Sequence, residues 1–506
     1  MLSSKFQSLK LETPDSTKDC MTEAGIDVDA FMLRLLRLER EAEIEACLLK
    51  EGESAGGLSG MILKDIEPGV LGRSLLTFAP KAAHLAHKLP VHSLSPNAPA
   101  AVRATAQKEE AGTEETGTIA TGIVTRIGPG SISLSMDEVP AEGLDLVVSL
   151  EPVPNEAAHN RMTAAVQSLV SVVSSGSSIG AEVARLCMYQ LPLAPAAPAN
   201  LVGSLAAVCS APAPAAASPA PEALEWSPIS SSRLDGSQAE AVSLALGRPD
   251  LALVHGPPGT GKTTTLVEII AQHALRGHKV LACAASNVAV DNLVERLAAV
   301  RLPGARRPLE VVRLGHPARL APSILSHSLE AKLGEPLHAQ SVRACLKEQQ
   351  KLTQKLAKCS AWVGERKEGG DCFALLAPDM TPDTTLPTCA ASRAQRAERT
   401  SLRSQLRGLS SEQRALQWLA VRDIVAAADV VCATLTGVDV SALRDVRFEL
   451  VALDEAGQAV EPACWPALLR GRKAVLAGDH RQLPPTVLSP AAEREGLGCT
   501  LFERLM

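Results

Sequence analysis

The sequence has few aromatic residues: six Phe, four Trp and one Tyr make up 2% of its 506 residues. Ala, Val and Leu must therefore fill most of the core, and stacking of bases on aromatic rings, a common way of holding single strands, is limited. CxxC pairs are also missing. The twelve Cys are scattered from Cys20 to Cys499 without regular spacing, which argues against a disulfide framework or a zinc site and for reduced thiols in a cytoplasmic or nuclear protein. No apolar run approaches the roughly eighteen residues of a spanning helix, and the opening MLSSKFQSLKLETPDSTKD lacks the apolar stretch of a secretory signal. No membrane role is expected.

Excess positive charge is absent too, since the formal net charge is −6. Its distribution is uneven. Residues 296–425 hold 21 Lys and Arg against 12 Asp and Glu. A basic segment on an acidic chain suggests a local polyanion contact, although a solvated helical surface would look the same.

What is present divides into several blocks, as the chain length requires. Residues 1–26 read as a disordered N-terminus. Residues 27–57 hold an amphipathic helix, with Phe31, Met32, Leu35 and Leu38 at helical spacing. Short β-prone runs between turn residues over 58–154 predict a small β-barrel carrying an acidic loop, KEEAGTEETG. Residues 155–190 read as helix, and 191–227 as an Ala/Pro-rich linker. Alternating strands and helices at 228–317 and 426–506 predict an α/β domain with a parallel sheet. Between them, 318–425 reads as an inserted basic helical hairpin, with helices near 338–362 and 391–425.

The strongest motif is LALVHGPPGTGKTTTLVEII. An apolar strand runs into Gly256, Pro257, Pro258, Gly259, Thr260, Gly261, Lys262, Thr263 and Thr264, and a helix follows. This is a phosphate loop in its required strand–loop–helix context, so ATP and Mg²⁺ are the expected cofactors. Backbone N–H groups would wrap the phosphates at a helix N-terminus. Lys262 should reach the β- and γ-phosphates, and Thr263 should ligate Mg²⁺. In FELVALDEAGQA an apolar strand ends in Asp454 and Glu455, placed for metal binding and for general-base catalysis.

Further motifs carry a family resemblance. SRLDGSQAEAV, ACAASNVAVDNLVERL, VVCATLTG, LDEAGQ and LAGDHRQLPP resemble, in order and spacing, the Q motif and motifs Ia, Ic, II and III of superfamily 1 helicases. GHPARL, LLTFAP and DNLVERL resemble one branch of its up-frameshift-like group. The resemblance implies a RecA-like P-loop domain and ATP-dependent 5′-to-3′ translocation or unwinding on single-stranded RNA or DNA. It implies that Gln238 binds adenine and that Gln458 and Gln482 sense the γ-phosphate. It places Ser286, Asn287 and Thr434 on the nucleic-acid backbone, the lesser alternative being that Ser286 and Asn287 simply cap the next helix and that Asp479 is a turn residue. Lys262, Asp454, Glu455 and Gln482 are the expected catalytic set.

Family members carry a second RecA-like domain with arginine fingers after motif III, whereas this sequence ends about twenty residues beyond QLPP. Slow hydrolysis by this chain alone is therefore expected. Two rivals stand beside this reading. A ring-forming AAA-type ATPase shares GPPGTGKT, but Asp454 lies 192 residues after Lys262, too far for that class. A catalytically idle fragment that binds nucleic acid or ribosomes is the other. A monomer is expected, with ribosomes a further candidate partner.

Overall fold

The computed structural model describes residues 28–52, 57–68, 73–81, 89–96, 98–104, 118–136, 147–176, 179–189, 226–229, 234–248, 250–304, 307–315, 322–335, 344–345, 347–352, 354–355, 387–438, 443 and 446–506. Outside them fall the expected N-terminal disorder, the acidic loop, nearly all of the Ala/Pro-rich linker, most of GHPARL and much of the first hairpin helix. Two compact units divide the chain.

One unit comprises residues 44–155 and 330–423. Its strands β1 (Leu58–Pro68), β2 (Ser74–Pro80), β3 (Pro99–Ala104), β4 (Thr118–Ile127), β5 (Ile132–Met136) and β6 (Val148–Pro152) are antiparallel. They close in the order β1-β2-β5-β4-β3-β6, with β6 pairing back to β1. Closure leaves no open edge for another chain to extend. Inward positions such as Met61, Leu76, Phe78, Val102, Val124, Leu134 and Leu150 are buried, as strand alternation requires. At Gly122 a Cβ would stand 2.9 Å from the Ser135 carbonyl oxygen, so β4 can approach β5 only without a side chain there. Leu352, Leu402 and Leu406 join this same core. The chain segment that interrupts the α/β region thus packs with the barrel. The described parts of its first half are helical, and its second half is a single 41-residue helix.

The other unit comprises residues 1–43, 156–329 and 424–506. Its sheet has strands β7 (Leu251–His255), β8 (Val280–Ala284), β9 (Val311–Arg313), β10 (Val430–Thr434), β11 (Phe448–Asp454) and β12 (Gly471–Gly478). All are parallel, in the order β7-β12-β11-β8-β10-β9. Continuous apolar runs such as VLACA, buried at every position, suit strands covered on both faces. This is the RecA-like α/β fold expected from the sequence, with the barrel interposed on its N-terminal side.

Helices α1 (Val28–Gly52), α2 (Glu156–Ser175) and α3 (Ala181–Tyr189) precede the sheet. The expected helix over 155–190 is thus two. Gly180 immediately precedes the second, and a Cβ there would lie 2.6 Å from the Leu469 backbone. Leu35 on α1 packs on Ala492 and Leu497, and Glu39 accepts from the Leu488 and Ser489 amides at 2.7 and 2.9 Å. Further helices are α4 (Gly236–Gly247), α5 (Lys262–Leu275), α6 (Asn287–Ala298), α7 (Leu329–Leu333), α8 (Pro387–Ala427), α9 (Glu461–Leu468), α10 (Pro490–Glu495) and α11 (Leu501–Leu505). Among the described residues, no helix is long and apolar enough to cross a membrane.

Strand register aligns His255 with Gly478, Asp454 with Ala284, and Ala284 with Thr434. The C-terminal ends of five strands therefore form one edge, where open α/β sheets bind their ligands.

Candidate nucleotide site and nucleic-acid interface

The phosphate loop joins β7 to α5. Gly259 and Gly261 take φ of 77° and 82°, a left-handed backbone that glycine adopts without strain. A Cβ on Gly256 would meet the Thr260 hydroxyl at 2.5 Å. That hydroxyl donates to the Pro257 carbonyl at 2.8 Å, while Lys262 Nζ donates to the carbonyls of Gly256 and Pro257 at 2.8 and 3.2 Å. The ammonium thus lies within the loop. Gly261 is the N-cap of α5 and supplies no side-chain acceptor, so the first-turn N–H groups remain available to an anion.

Across the loop stands Asp454, at the end of β11 and only 3% exposed. The Thr263 hydroxyl donates to its Oδ2 at 3.1 Å, and the Glu455 amide donates to Oδ1 at 3.1 Å. Burial, with the neighbouring Glu455 charge adding to it, pushes the Asp454 carboxyl up to about 6. A buried carboxylate facing a hydroxyl is an oxygen donor set that fits a hard divalent cation. Glu455 has φ of 52°, the one positive φ at a non-glycine among the described residues. Such a conformation costs roughly 1–2 kcal/mol and turns the chain sharply after the strand. Gln458 Nε2 donates to Glu455 Oε2 at 3.4 Å.

Asp479, after β12, gathers the third group. It accepts from Gln482 Nε2 at 2.7 Å and the Arg481 amide at 3.0 Å, and it faces His255 Nε2 at 3.3 Å. These donors, Gln482 foremost, hold its carboxyl down to about 2. Motifs II and III approach through glycine. A Cβ on Gly457 would lie 2.6 Å from the Asp479 carbonyl oxygen, and one on Gly478 would lie 2.9 Å from the Gly457 amide.

Gln238 occupies the N3 position of α4, in a reciprocal capping box with Asp235. Its Oε1 accepts from the Asp235 amide at 3.2 Å, and its Nε2 donates to the Thr260 carbonyl at 3.0 Å. The expected adenine residue therefore touches the phosphate loop itself. Thr264, on the first turn of α5, accepts from Arg296 Nη1 at 3.1 Å.

Ser286, Asn287 and Thr434 lie at the ends of β8 and β10. Ser286 is the N-cap of α6, its hydroxyl accepting from the Ala289 amide at 3.2 Å. Asn287 Oδ1 accepts from Arg313 Nη2 at 2.9 Å. Thr434 precedes a 3₁₀ turn and makes no side-chain cap to it. Phosphate-loop, motif II and motif III residues thus follow β7, β11 and β12, while the expected strand contacts follow β8 and β10.

Sequence reasoning passed over Arg296 and Arg313. Arg313 had one legible signal, a lone cation within the apolar run VVRL. Arg296 had none, because its neighbour Thr264 is distant in sequence.

Comparison with known proteins gives two family matches: AAA domain over residues 233–490, and helicase SMUBP-2/HCS1, 1B domain, over residues 30–147. DNA-binding protein SMUBP-2 of Mus musculus is 34% identical over 503 residues, covering 95% of this chain and 43% of the relative. DNA polymerase alpha-associated DNA helicase A of Schizosaccharomyces pombe is 38% identical over 273 residues, covering 54% of this chain and 34% of the relative. An ATP-dependent helicase of Methanocaldococcus jannaschii is 35% identical over 288 residues, covering 54% and 40%. The chain thus spans under half the length of these relatives. With the AAA domain match extending over half of the chain, and the motif residues gathered along one sheet edge, the chain belongs to the up-frameshift-like superfamily 1 helicases.

Proposed function

We propose that this chain is the ATP-binding and strand-binding part of an ATP-dependent helicase acting 5′ to 3′ on single-stranded RNA or DNA. The observation that carries this reading is the Thr263–Asp454 contact, which brings the phosphate loop and motif II to one point of the sheet edge. ATP would bind along the loop, with Lys262 against the β- and γ-phosphates and Gly256 to Thr264 surrounding them. Thr263 and Asp454 would hold Mg²⁺, which supplies Lewis-acid charge to the phosphate oxygens. Glu455 would accept the proton of the attacking water. Gln458 and Gln482 would orient that water and respond to the γ-phosphate, and Gln238 would meet adenine on leaving the Thr260 carbonyl.

Ser286, Asn287 and Thr434 would follow the strand backbone, contacts that position without reading bases. Residues 27–57 and 155–190 would be stalk helices, 58–154 a β-barrel accessory domain and 191–227 a linker. The basic insertion at 318–425 would make a local contact with a polyanion. The chain would act as a monomer in the cytoplasm or nucleus, with ribosomes a further candidate partner. The free cysteines among the described residues suit those reducing compartments.

The test is ATP hydrolysis by this chain, with and without single-stranded RNA and DNA, beside Lys262→Ala. Strand-stimulated turnover that disappears in Lys262→Ala supports the reading. Salt-dependent strand binding that ignores nucleotide, without turnover, supports instead an idle binding fragment.

A further inference from the structure

Arg313 has no exposed surface, although it lies on the edge strand β9. A buried guanidinium is costly unless charge and hydrogen bonds compensate it. Asp291 supplies the charge, with Oδ1 accepting from Nε at 3.1 Å. Nη1 donates to the Leu314 carbonyl, and Nη2 donates to Asn287 Oδ1 at 2.9 Å. Asn287 and Asp291 are four residues apart on α6 and so share a face. One cation thereby fastens two successive turns of the helix.

The chemistry of this clamp fixes more than position. A guanidinium has five donors and no acceptor. Only the oxygen of the Asn287 amide can face it, so the amide nitrogen, with its two N–H groups, is directed elsewhere. A half-turn about the terminal torsion would otherwise exchange the two ends at little steric cost. A strand phosphate accepts hydrogen bonds and does not donate them, so the orientation of this amide decides whether the side chain attracts or repels it. Asn287 is also the first residue of α6, after the Ser286 N-cap, where the helix dipole favours an anion.

We infer that Arg313 is a positioning residue for nucleic-acid binding: it holds the Asn287 amide with its donors available to a phosphate of the bound strand. The inference rests on the reading of Asn287 as a strand contact. Arg313 touches no nucleic acid itself. Its action runs through one side chain, so its effect on binding must vanish when that side chain is removed.

The experiment measures binding of a fluorescein-labelled single-stranded oligonucleotide to the whole chain by anisotropy, beside thermal melting and nucleotide binding. The variants are Asn287→Ala, the charge-free pair Arg313→Met with Asp291→Asn, and all three substitutions together. Removing both charges avoids stranding a buried carboxylate, which alone would destabilise the fold. Expected is a loss of strand affinity of about five- to tenfold in the first two proteins, with nucleotide binding kept. The triple variant should bind no more weakly than Asn287→Ala, the non-additivity of two groups acting as one. A general weakening of the structure would give additive losses. Additive losses, or full affinity in the folded charge-free variant, overturn the role of Arg313 alone. Full affinity in Asn287→Ala, or no strand binding by the unaltered chain, overturns the reading of Asn287 and the inference with it.

Discussion

The Thr263 hydroxyl and the Asp454 carboxylate meet at 3.1 Å although 191 positions separate them in sequence. The contact joins the start of α5 to the end of β11. It does so at a carboxyl whose burial disfavours its charge.

Asp454→Asn should stabilise the protein while abolishing hydrolysis. The folded-state value near 6 lies above the ordinary 3.8. The stabilising contribution of this group is therefore complete below about 4 and is lost as pH rises through about 6. At pH 8 the Asn variant should exceed the parent by about 2–3 kcal/mol, and at pH 4 the gap should close. Urea melts at both pH values measure this, and a parent that stays equally stable relative to the variant at both would contradict it.

Asp479→Ala should release Gln482, whose amide it holds at 2.7 Å. Hydrolysis should fall about 10- to 100-fold through mispositioning, with ATP affinity nearly unchanged. The carboxyl is held down to about 2, so its contribution to stability is present above about 4 and is lost as pH falls through about 2. The melting difference between parent and variant should persist at neutral pH and shrink in strong acid. Steady-state kinetics with parallel melts separate the two effects.

Gly457→Ala tests the contact between motifs II and III. Its Cβ would stand 2.6 Å from the Asp479 carbonyl oxygen, a backbone atom that cannot swing aside. A loss of about 1–3 kcal/mol is expected from overpacking, together with slower hydrolysis. Unchanged melting and turnover would show that the two backbones separate freely.

Ser286 has two assignable roles that one pair of variants distinguishes. Ser286→Ala should cost about 1 kcal/mol by removing the α6 cap. Ser286→Asp should restore stability, since a carboxylate caps as well, yet weaken strand binding through like charge with phosphate. Chemical denaturation and anisotropy read the two quantities independently.

The phosphate loop was legible because phosphate chemistry demands particular residues at short spacing, from Gly256 to Thr263. Short β-prone runs such as LLTFAP, set between turn residues, likewise announced the barrel strands. The helical insertion was legible as helix, but its packing through Leu402 and Leu406 into the barrel core was not, since hydrophobic periodicity marks a buried face without naming its partner. Gln238 shows the same boundary. Its motif was readable, whereas its contact with the Thr260 carbonyl depends on α4 meeting a loop twenty-two residues away. The left-handed turn at Glu455 had no signal at all, because surrounding structure rather than residue type imposes it.

The position of β7 at one edge of the sheet, with β12 its sole neighbour among the described residues, bears on how the protein is made. The strand that leads into the phosphate loop emerges from the ribosome more than two hundred residues before its pairing partner. β8 likewise waits for β10 and β11, its partners on either side, which emerge shortly before β12. Such long-range parallel pairing is slow to form. The nucleotide site should therefore mature late in synthesis, after most of the chain has emerged.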